Sequence, residues 1–417
     1  MEKDVIVIGG GASGMTAAYF AALRGNRVVL LEKNEKLGKK IYITGKGRCN
    51  FTNDSSPEEA IKHIVSNPKF MTGALRAFPP ESVMRFFEDG GLRIKTERGN
   101  RVFPLSDHAS DVTKTLEQYC RKAGVEICLK ETVRSVSKKQ CTMPDILSET
   151  NTMFDIVTDC GARTADAVIV ATGGLSYPTT GSTGDGYRFA REFGHSTVAA
   201  VPALCGIETE GTDCAQMQGL SLKNVRLSAL RKGREIASFF GEMLFTHFGI
   251  SGPSVLSLSS HLNRLPLPEV ELRLDLKPAL TDGQLDQRLL RDFDADKNKA
   301  IGNVLGGLLP KAMISVVLRR ANISPQKPVN SVSKAERKGL LSAIKCFIMI
   351  PSALRPIEEA IVTAGGVSVR EINPGTMESK LVPGLFFCGE VLDLDAYTGG
   401  FNLQIAFSTG YAAGNAV

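Results

Sequence analysis

Residues 4–32 read DVIVIGGGASGMTAAYFAALRGNRVVLLE, and this stretch decides the fold. Its first five residues are rich in Val and Ile and too few for a helix, so they predict a buried strand. Three glycines, Gly9, Gly11 and Gly14, then match the pattern G-x-G-x-x-G. In that pattern the glycines permit a tight turn, the close approach of a pyrophosphate and the packing of a helix on the strand. The stretch therefore predicts the start of an α/β fold.

The rest of the stretch carries the other parts of a nucleotide-binding unit. Residues 15–24 are rich in Ala and predict a helix, whose N-terminal N–H groups and dipole favour anions. Gly25 ends this helix, and a second apolar strand closes on Glu32, 23 positions after Gly9. An acid there is placed to accept hydrogen bonds from an adenosine ribose. A glycine triplet alone also fits an ordinary βα turn, but these parts in this order favour a dinucleotide site.

Length and composition limit the classes of protein that fit. A chain of 417 residues is too long for one compact core, so we expect two or three domains. The net charge of +6 is modest and does not by itself support nucleic-acid binding, so we expect a small-molecule substrate and no nucleic acid. No stretch approaches 18 apolar residues, so we expect no membrane span. Nine cysteines without a C-x-x-C pair argue against a disulfide scaffold and a zinc site, and predict a cytoplasmic protein without a metal.

Residues 38–53 form a polar loop, and the densest basic stretch of the chain, residues 36–48, runs into it. A run of cations is either a solvated face or an anion site. The loop is accordingly either a surface turn or a segment whose N–H groups and Arg48 line the bound cofactor. The cations are Lys36, Lys39, Lys40, Lys46 and Arg48.

The α/β pattern returns in two later segments. Residues 166–174 predict a central strand that runs into a glycine turn, where an open α/β sheet meets its ligand. Residues 384–390 predict a strand that rejoins the same sheet. Residues 399–410 open a final helix, whose N-terminal N–H groups favour a second anionic group.

Between these segments, residues 196–355 predict a β-rich insert with a small helical lobe. Residues 225–235 predict an antiparallel hairpin, and residues 270–277 alternate apolar and charged side chains like a half-buried strand. Residues 283–320 have helical character, with the longest run at residues 300–320.

Three motifs together resemble a known family. They are TGKGRCN at residues 44–50, GEMLFTHFGISGP at residues 241–253, and the segment from TMESK at residues 376–380 to Gly410. The chain resembles the bacterial flavoproteins of the BaiN/YhiN type, the HI0933-like family, over essentially its whole length. The resemblance implies an FAD-dependent oxidoreductase.

The resemblance also implies the architecture and the cofactor contacts. The fold class is α/β, with a split Rossmann-like FAD-binding domain at residues 1–195 and 356–417. The inserted domain is a β-barrel, at about residues 196–278 and 330–355, with a helical lobe at about residues 279–329. The FAD contacts expected are Gly9, Gly11, Ala12, Ser13, Gly14, Glu32, Lys33, Arg48, Cys49, Asn50, Val133, Ala171, Thr172, Gly173, Gly389, Glu390, Asn402, Leu403 and Gln404.

Few side chains qualify as the proton donor that flavin chemistry requires. His247 stands between Phe245 and Phe248, and a His in apolar company is either a catalytic acid or a hydrogen-bonded structural residue. Tyr397 precedes the glycines of the last helix and is either a proton donor or a packing residue. Because only one G-x-G-x-x-G motif is present, NADH or NADPH, if used, visits the flavin transiently.

Three functions fit these observations. The first is the reduction of an activated C=C or C=O bond in a small apolar, steroid-like or enone-like substrate. The second is an amine oxidase of the aminoacetone type, which passes electrons to O₂. The third is a flavoprotein that acts on RNA, which the charge permits but no aromatic and basic motif supports.

Overall fold

The computed structural model describes residues 2–138 and 153–417, so Cys141 lies outside the described residues. The chain divides into two compact units. Unit 1 comprises Met1–Pro202 and Ile357–Val417, and unit 2 comprises Ala203–Pro356.

The strands of the described residues, in chain order, are β1 (Asp4–Ile8), β2 (Arg27–Glu32), β3 (Thr52–Asn53), β4 (Ile94–Glu97), β5 (Arg101–Pro104), β6 (Glu126–Leu129), β7 (Val133–Lys138), β8 (Phe154–Thr158), β9 (Gly161–Ala165), β10 (Ala167–Val170), β11 (Thr197–Ala203), β12 (Ile207–Thr209), β13 (Ser221–Arg231), β14 (Arg234–Phe245), β15 (Gly249–Ser251), β16 (Val270–Asp275), β17 (Phe347–Met349), β18 (Pro351–Leu354), β19 (Val362–Val367) and β20 (Leu385–Phe387).

The α-helices of the same residues are α1 (Ala12–Leu23), α2 (Lys39–Ile43), α3 (Pro57–Lys62), α4 (Thr72–Ala77), α5 (Pro80–Asp89), α6 (Ala109–Lys122), α7 (Asp185–Glu192), α8 (Asp213–Gln216), α9 (Pro253–Leu262), α10 (Asp282–Ala295), α11 (Ile301–Val304), α12 (Lys311–Arg320), α13 (Lys334–Lys345) and α14 (Phe401–Ala416). None of them is long and apolar enough to cross a membrane.

Unit 1 is built on a five-stranded parallel sheet in the order β20-β10-β1-β2-β6. The central strand β1 is apolar throughout Val5–Ile8, and all four of these residues are buried, as in a sheet that is covered on both faces. The sheet joins segments from both ends of the chain, because β20 pairs with β10. This arrangement confirms the predicted Rossmann-like α/β fold.

Helix α14 packs along α1 through glycines. A Cβ atom at Gly410 would lie 2.5 Å from the carbonyl oxygen of Ser13, and one at Gly414 would overlap the carbonyl oxygen of Ala17. The two helices therefore approach each other more closely than side chains would permit. The last helix of the chain is thereby fixed to the helix that follows the glycine motif.

Unit 2 contains a seven-stranded antiparallel sheet in the order β17-β16-β13-β14-β15-β12-β18. Its longest hairpin, β13 and β14, is the predicted one and turns at Lys232 and Gly233. Their φ values of +51° and +75° are those of a type I′ turn. In the described part of the chain β17 and β18 are the edges of this sheet, so the closed barrel expected from the resemblance is not found.

Helices α10 to α13 of unit 2 follow β16. The sequence prediction of one long helical run at residues 300–320 is wrong, because the run is divided into α11 and α12. Two glycines, Gly306 and Gly307, and the N-cap residue Pro310 separate these helices. Proline lacks the N–H group that a helix interior needs, and glycine has a low helix propensity.

Candidate cofactor site and active site

The glycines of the motif form a tight turn between β1 and α1. Gly9 has a φ of +108°, and a Cβ atom there would lie 2.5 Å from the carbonyl oxygen of Ala171. A Cβ atom at Gly14 would overlap the carbonyl oxygen of Gly9. At Gly11, by contrast, a Cβ atom would meet no heavy atom within 4 Å. Two of the glycines therefore serve internal packing, and the third faces open space.

The N-terminus of α1 points its N–H groups out of the helix at the same turn. Gly11 is the N-cap residue, and the N–H group of Met15 donates to its carbonyl oxygen over 3.0 Å. The N–H groups of Ala12, Ser13 and Gly14 therefore have no carbonyl partner within the helix. Such a cluster of donors at the positive end of a helix dipole favours an anion.

Glu32 ends β2 and is buried, with 8% of its surface exposed. Its carboxylate accepts a hydrogen bond of 2.7 Å from the N–H group of Gly10. It also accepts bonds of 2.8 Å and 2.6 Å from the backbone and side-chain nitrogens of Asn34. A carboxylate has about four acceptor positions, so one remains for a hydroxyl group. The neighbouring Lys33 forms an ion pair of 2.6 Å with Asp185.

The TGKGRCN loop has an unusual backbone. Lys46 and Cys49 both have a φ of +58°, in the left-handed region that side chains rarely adopt. Cys49 is fully buried, and burial raises the pKa of its thiol, which therefore stays protonated and inert. The next residue, Asn50, has a buried Oδ1 atom without a hydrogen-bond partner among the described residues. Such backbone strain is typical of a functional loop.

Arg48 anchors this loop to the end of β4 and to the segment that follows β5. Its Nε atom donates to Asp107 over 2.7 Å, and its guanidinium also pairs with Glu97. The guanidinium carbon lies 4.3 Å from the centre of the Phe103 ring. Arg48 lowers the pKa of Glu97 through their hydrogen bond. The guanidinium of Arg48 is thus paired with two carboxylates of the protein, and these ion pairs fix the position of the loop.

The carboxyl ends of β10 and β20 carry two more predicted contact segments. The N–H group of Ala171 donates to Ile8 over 2.9 Å, which places residues 171–173 beside the glycine turn. The Oγ1 atom of Thr172 is buried and lacks a partner among the described residues. At the end of β20, the N–H group of Gly389 donates to Thr409 of α14 over 2.9 Å.

Glu390, which follows Gly389, lies in a polar cluster that sequence reasoning did not identify. Lys40 donates to both of its carboxylate oxygens, over 2.9 Å and 2.8 Å. Ser176 Oγ donates over 3.0 Å and the N–H group of Thr363 over 2.9 Å. Lys40 belongs to the basic stretch, so at this position the stretch is neither a solvated face nor a free anion site.

The N-terminus of α14 is a second set of N–H donors. The N–H group of Gln404 donates to Gly400 over 3.0 Å, so those of residues 401–403, including Leu403, have no carbonyl partner in the helix. The side chains of Asn402 and Gln404, both predicted to contact the cofactor, form hydrogen bonds within the protein. Asn402 bonds to both the N–H and the carbonyl group of Ala396, and Gln404 is buried and donates to Phe78 over 3.0 Å.

Tyr397 lies just before this helix in an aromatic group. Its N–H group donates to the carbonyl oxygen of His63 over 2.9 Å, and the two ring centres are 6.0 Å apart. The His63 ring is stacked on Phe401 at 4.2 Å. Burial raises the pKa of Tyr397 and lowers that of His63. His63 was missed from the sequence because no local pattern links it to residues 334 and more positions away.

Val133 and His247 lie on other elements. Val133 begins β7, in the three-stranded sheet β7-β8-β9, and is 5% exposed. His247 belongs to unit 2 and is exposed in the turn between β14 and β15. Its ring centre is 5.1 Å from that of Phe248. Within residues 2–138 and 153–417, no group of three or more His, Cys, Asp or Glu side chains is placed to hold a metal ion.

The sequence also matches a protein family. The model described as HI0933-like protein Rossmann domain matches residues 3–416. The chain belongs to the HI0933-like family. This membership confirms the expected resemblance.

Relatives and solved structures specify the kind of protein further. The chain is 33% identical over 414 residues to the 3-dehydro-bile acid delta(4,6)-reductase of Clostridium scindens, across 98% of each chain. It is 30% identical over 413 residues to the ribosomal RNA dihydrouridine synthase of Haemophilus influenzae, across 98% of this chain and 97% of the relative. The 3-ketosteroid-delta4-(5alpha)-dehydrogenase of Rhodococcus jostii RHA1 superposes with a TM-score of 0.53 at 14% identity, covering 100% of this chain and 96% of that one, which shows a common fold. This member of the HI0933-like family is an FAD-dependent oxidoreductase.

Several polar groups of unit 1 fit a bound FAD molecule. Gly11 faces open space, and the N–H groups of residues 12–14 are available to a pyrophosphate. Asn50 Oδ1 and Thr172 Oγ1 are buried atoms without partners in the described chain. Buried polar groups are rarely left without a hydrogen bond, so these atoms fit contacts with a bound polar molecule. The N–H groups of residues 401–403 are a second set of donors, suited to the other end of the dinucleotide.

Proposed function

We propose that this protein reduces a C=C bond conjugated to a carbonyl group in a small apolar substrate of the steroid or enone type. The proposal rests on one observation, the 33% identity to a named bile acid reductase across 98% of both chains. Bound FAD, once reduced by an external electron donor, would supply a hydride from its N5 atom to the electron-poor carbon of the substrate. The protein holds the cofactor, orients the substrate and supplies a proton.

We assign the cofactor to unit 1, and with it the predicted split of the chain into an FAD domain and an insert at residues 196–355. The N–H groups of residues 12–14 would bind the pyrophosphate, and the remaining acceptor position of Glu32 would take a ribose hydroxyl group. The N–H groups of residues 401–403 would stabilise the negative charge that the flavin gains on reduction. Glu390 would accept a hydrogen bond from a hydroxyl group of the sugar-alcohol chain of the cofactor.

Tyr397 is the proton donor that we propose in unit 1. Burial raises the pKa of its phenol, so the group carries its proton at neutral pH and gives it up only to a strongly basic site, such as the carbanion that hydride transfer creates. Replacing it with Phe removes the proton and keeps the ring. We expect Tyr397→Phe to slow substrate reduction about a hundredfold or more while the flavin is still reduced at the normal rate. His247→Gln tests the second candidate donor in the same assay.

Anaerobic rapid mixing of the purified FAD-loaded protein tests the reaction. If a nicotinamide coenzyme is the electron donor, NADH or NADPH bleaches the flavin absorbance. If neither coenzyme bleaches it, the flavin is reduced chemically with dithionite instead. The reduced protein is then mixed with a 3-keto-Δ4-steroid, and we expect the yellow colour to return together with a saturated product. A different result would identify an amine oxidase and refute the reductase proposal. In that case aminoacetone reduces the flavin, O₂ rapidly reoxidises it with release of peroxide, and the reduced protein does not react with the steroid.

A second candidate function, the reduction of uridine in RNA, is favoured by a relative and by the distribution of charge. The H. influenzae relative is named a ribosomal RNA dihydrouridine synthase. Unit 2 has 21 Lys and Arg against 14 Asp and Glu, so it is positive by 7, whereas unit 1 is negative by 1. Uracil also has a C=C bond conjugated to a carbonyl group. The same hydride chemistry therefore serves both candidates.

Binding and product analysis separate the RNA candidate from the small-molecule candidate. An RNA enzyme is expected to bind RNA with an affinity that falls steeply with salt, because phosphate contacts release counterions. It also converts uridine to dihydrouridine in ribosomal RNA, which mass spectrometry detects. Weak, salt-insensitive RNA binding without dihydrouridine excludes this candidate.

A further inference from the structure

The amino group of Lys40 is engaged entirely by one cluster in unit 1. It donates to Oε2 and Oε1 of Glu390 over 2.8 Å and 2.9 Å, and to Ser176 Oγ over 2.5 Å. Three acceptors match the three donors of an ammonium group. The side chains of Lys40 and Glu390 are 25% and 22% exposed, so this ion pair is only partly screened by water.

The two oxygens of Glu390 differ in their use. Oε1 accepts from Lys40, from Ser176 Oγ and from the N–H group of Thr363, whereas Oε2 has one recorded donor among the described residues, Lys40. The Oγ1 atom of Thr363 in turn accepts from the N–H groups of Leu175 and Ser176, over 2.8 Å and 3.0 Å. Oε1 is therefore the oxygen held by the protein, and Oε2 is the oxygen with acceptor capacity for a ligand.

We propose that Lys40 is a positioning residue of the flavin site. It orients Glu390 so that Oε2 faces the bound cofactor. Its positive charge also balances the negative charge of this carboxylate, so the net charge of the pair beside the flavin is zero. The inference rests on the proposed placement of FAD in unit 1. It adds a residue from the basic stretch whose partner lies 350 positions away in the sequence.

Electrostatics gives each partner an effect of opposite sign on the reduction potential of FAD. Reduction adds negative charge to the flavin. A Glu390 carboxylate without Lys40 opposes that charge, so Lys40→Met is expected to lower the midpoint potential. A Lys40 ammonium without the carboxylate attracts it, so Glu390→Gln is expected to raise the potential. The double variant restores a neutral pair and is expected to return close to the wild-type potential.

The experiment measures the FAD dissociation constant of the apoprotein and the midpoint potential of the FAD-loaded protein for the three variants. Lys40→Met is expected to weaken FAD binding about tenfold, because it leaves a partly buried carboxylate without its charged partner. The matched control is Lys114→Met on α6, where the Lys side chain is 66% exposed and lies 3.7 Å from Asp111. The control is expected to keep both wild-type values.

The outcomes are separable. Wild-type protein that does not bind FAD would refute the placement of the cofactor, whereas wild-type binding with an unchanged Lys40→Met variant would refute the role of Lys40 alone. Shifts of the same sign in both single variants would indicate a structural role and overturn the charge-balance proposal. If Lys40→Met does not fold, Glu390→Gln decides, since it preserves the shape of the side chain. A potential that is unchanged or lowered in Glu390→Gln then contradicts the proposal.

Discussion

At the scale of single residues, alanine substitutions at two glycines of the β1–α1 turn are expected to affect different properties, the stability of the fold at Gly14 and the binding of FAD at Gly11. Gly14→Ala places a methyl group on the backbone carbonyl of Gly9 and is expected to destabilise the protein by about 2 kcal/mol or more. Gly11→Ala meets no atom within 4 Å, so its folded stability stays near wild type. Its methyl group occupies the space proposed for the pyrophosphate, so FAD binding weakens. Thermal denaturation of the apoproteins and FAD titration measure the two effects. Normal FAD affinity in Gly11→Ala would contradict the site.

His195 makes a second prediction at this scale, on the pH dependence of stability. It is buried, with Nδ1 3.2 Å from Glu371 Oε2 and Nε2 2.8 Å from Ser379 Oγ. Ser379 Oγ already accepts from the N–H groups of Leu381 and Val382, over 3.0 Å and 2.9 Å. Its hydroxyl proton therefore goes to Nε2, which requires the neutral imidazole.

The pKa of His195 is lowered by burial, against the opposing effect of Glu371. Below the unfolded pKa of about 6.5 the unfolded chain then binds more protons than the folded one, so the free energy of unfolding decreases as the pH falls through this value. Denaturant titrations between neutral and mildly acidic pH measure the slope. In His195→Gln, which cannot titrate, the slope is expected to be smaller. An identical slope in the variant would assign the pH dependence to other groups.

At the scale of elements, the contact of α14 with α1 determines how the last segment of the chain joins the first. Gly410→Ala puts a Cβ atom 2.5 Å from the carbonyl oxygen of Ser13, so the helices must separate. We expect a loss of about 1–3 kcal/mol of stability, as for other overpacked contacts. The matched control is Gly283→Ala in α10, where a Cβ atom meets nothing within 4 Å. There we expect a gain of up to about 1 kcal/mol from helix propensity. Equal effects in both helices, measured by thermal denaturation, would argue against the close contact.

At the scale of the whole molecule, FAD is expected to stabilise the elements of unit 1 that carry its contacts. A ligand that binds only the folded state stabilises it by about 2.7 kcal/mol at a hundredfold excess over its dissociation constant. Hydrogen exchange with and without FAD is expected to show added protection in the glycine turn at residues 9–14, at residues 171–173 and at residues 401–404. Helix α12 of unit 2 serves as the reference. Protection that appears in α12 but not in the glycine turn would contradict the placement.

Local interactions explain why some elements were predicted correctly. The strand, glycine turn, helix, second strand and final Glu32 are encoded by neighbours in the sequence, and so is the hairpin of β13 and β14. The break of the expected helix at residues 300–320 is also encoded locally, in Gly306, Gly307 and Pro310, which outweigh the helical pattern of the segment. The open edges of the unit 2 sheet carry no local signal, since sheet closure depends on strand order.

The sequence by itself determined the Rossmann-like α/β fold, the dinucleotide motif and the family, because each depends on short patterns of residue type and spacing. Only the tertiary structure decided which side chains meet. It directed Arg48 to Glu97 and Asp107, and it paired Lys40 with Glu390. Parallel strands bring their carboxyl ends to one edge of the sheet, so residues far apart in the chain become neighbours there. Ion pairs of that kind depend on the packing of the whole unit, which no local pattern records.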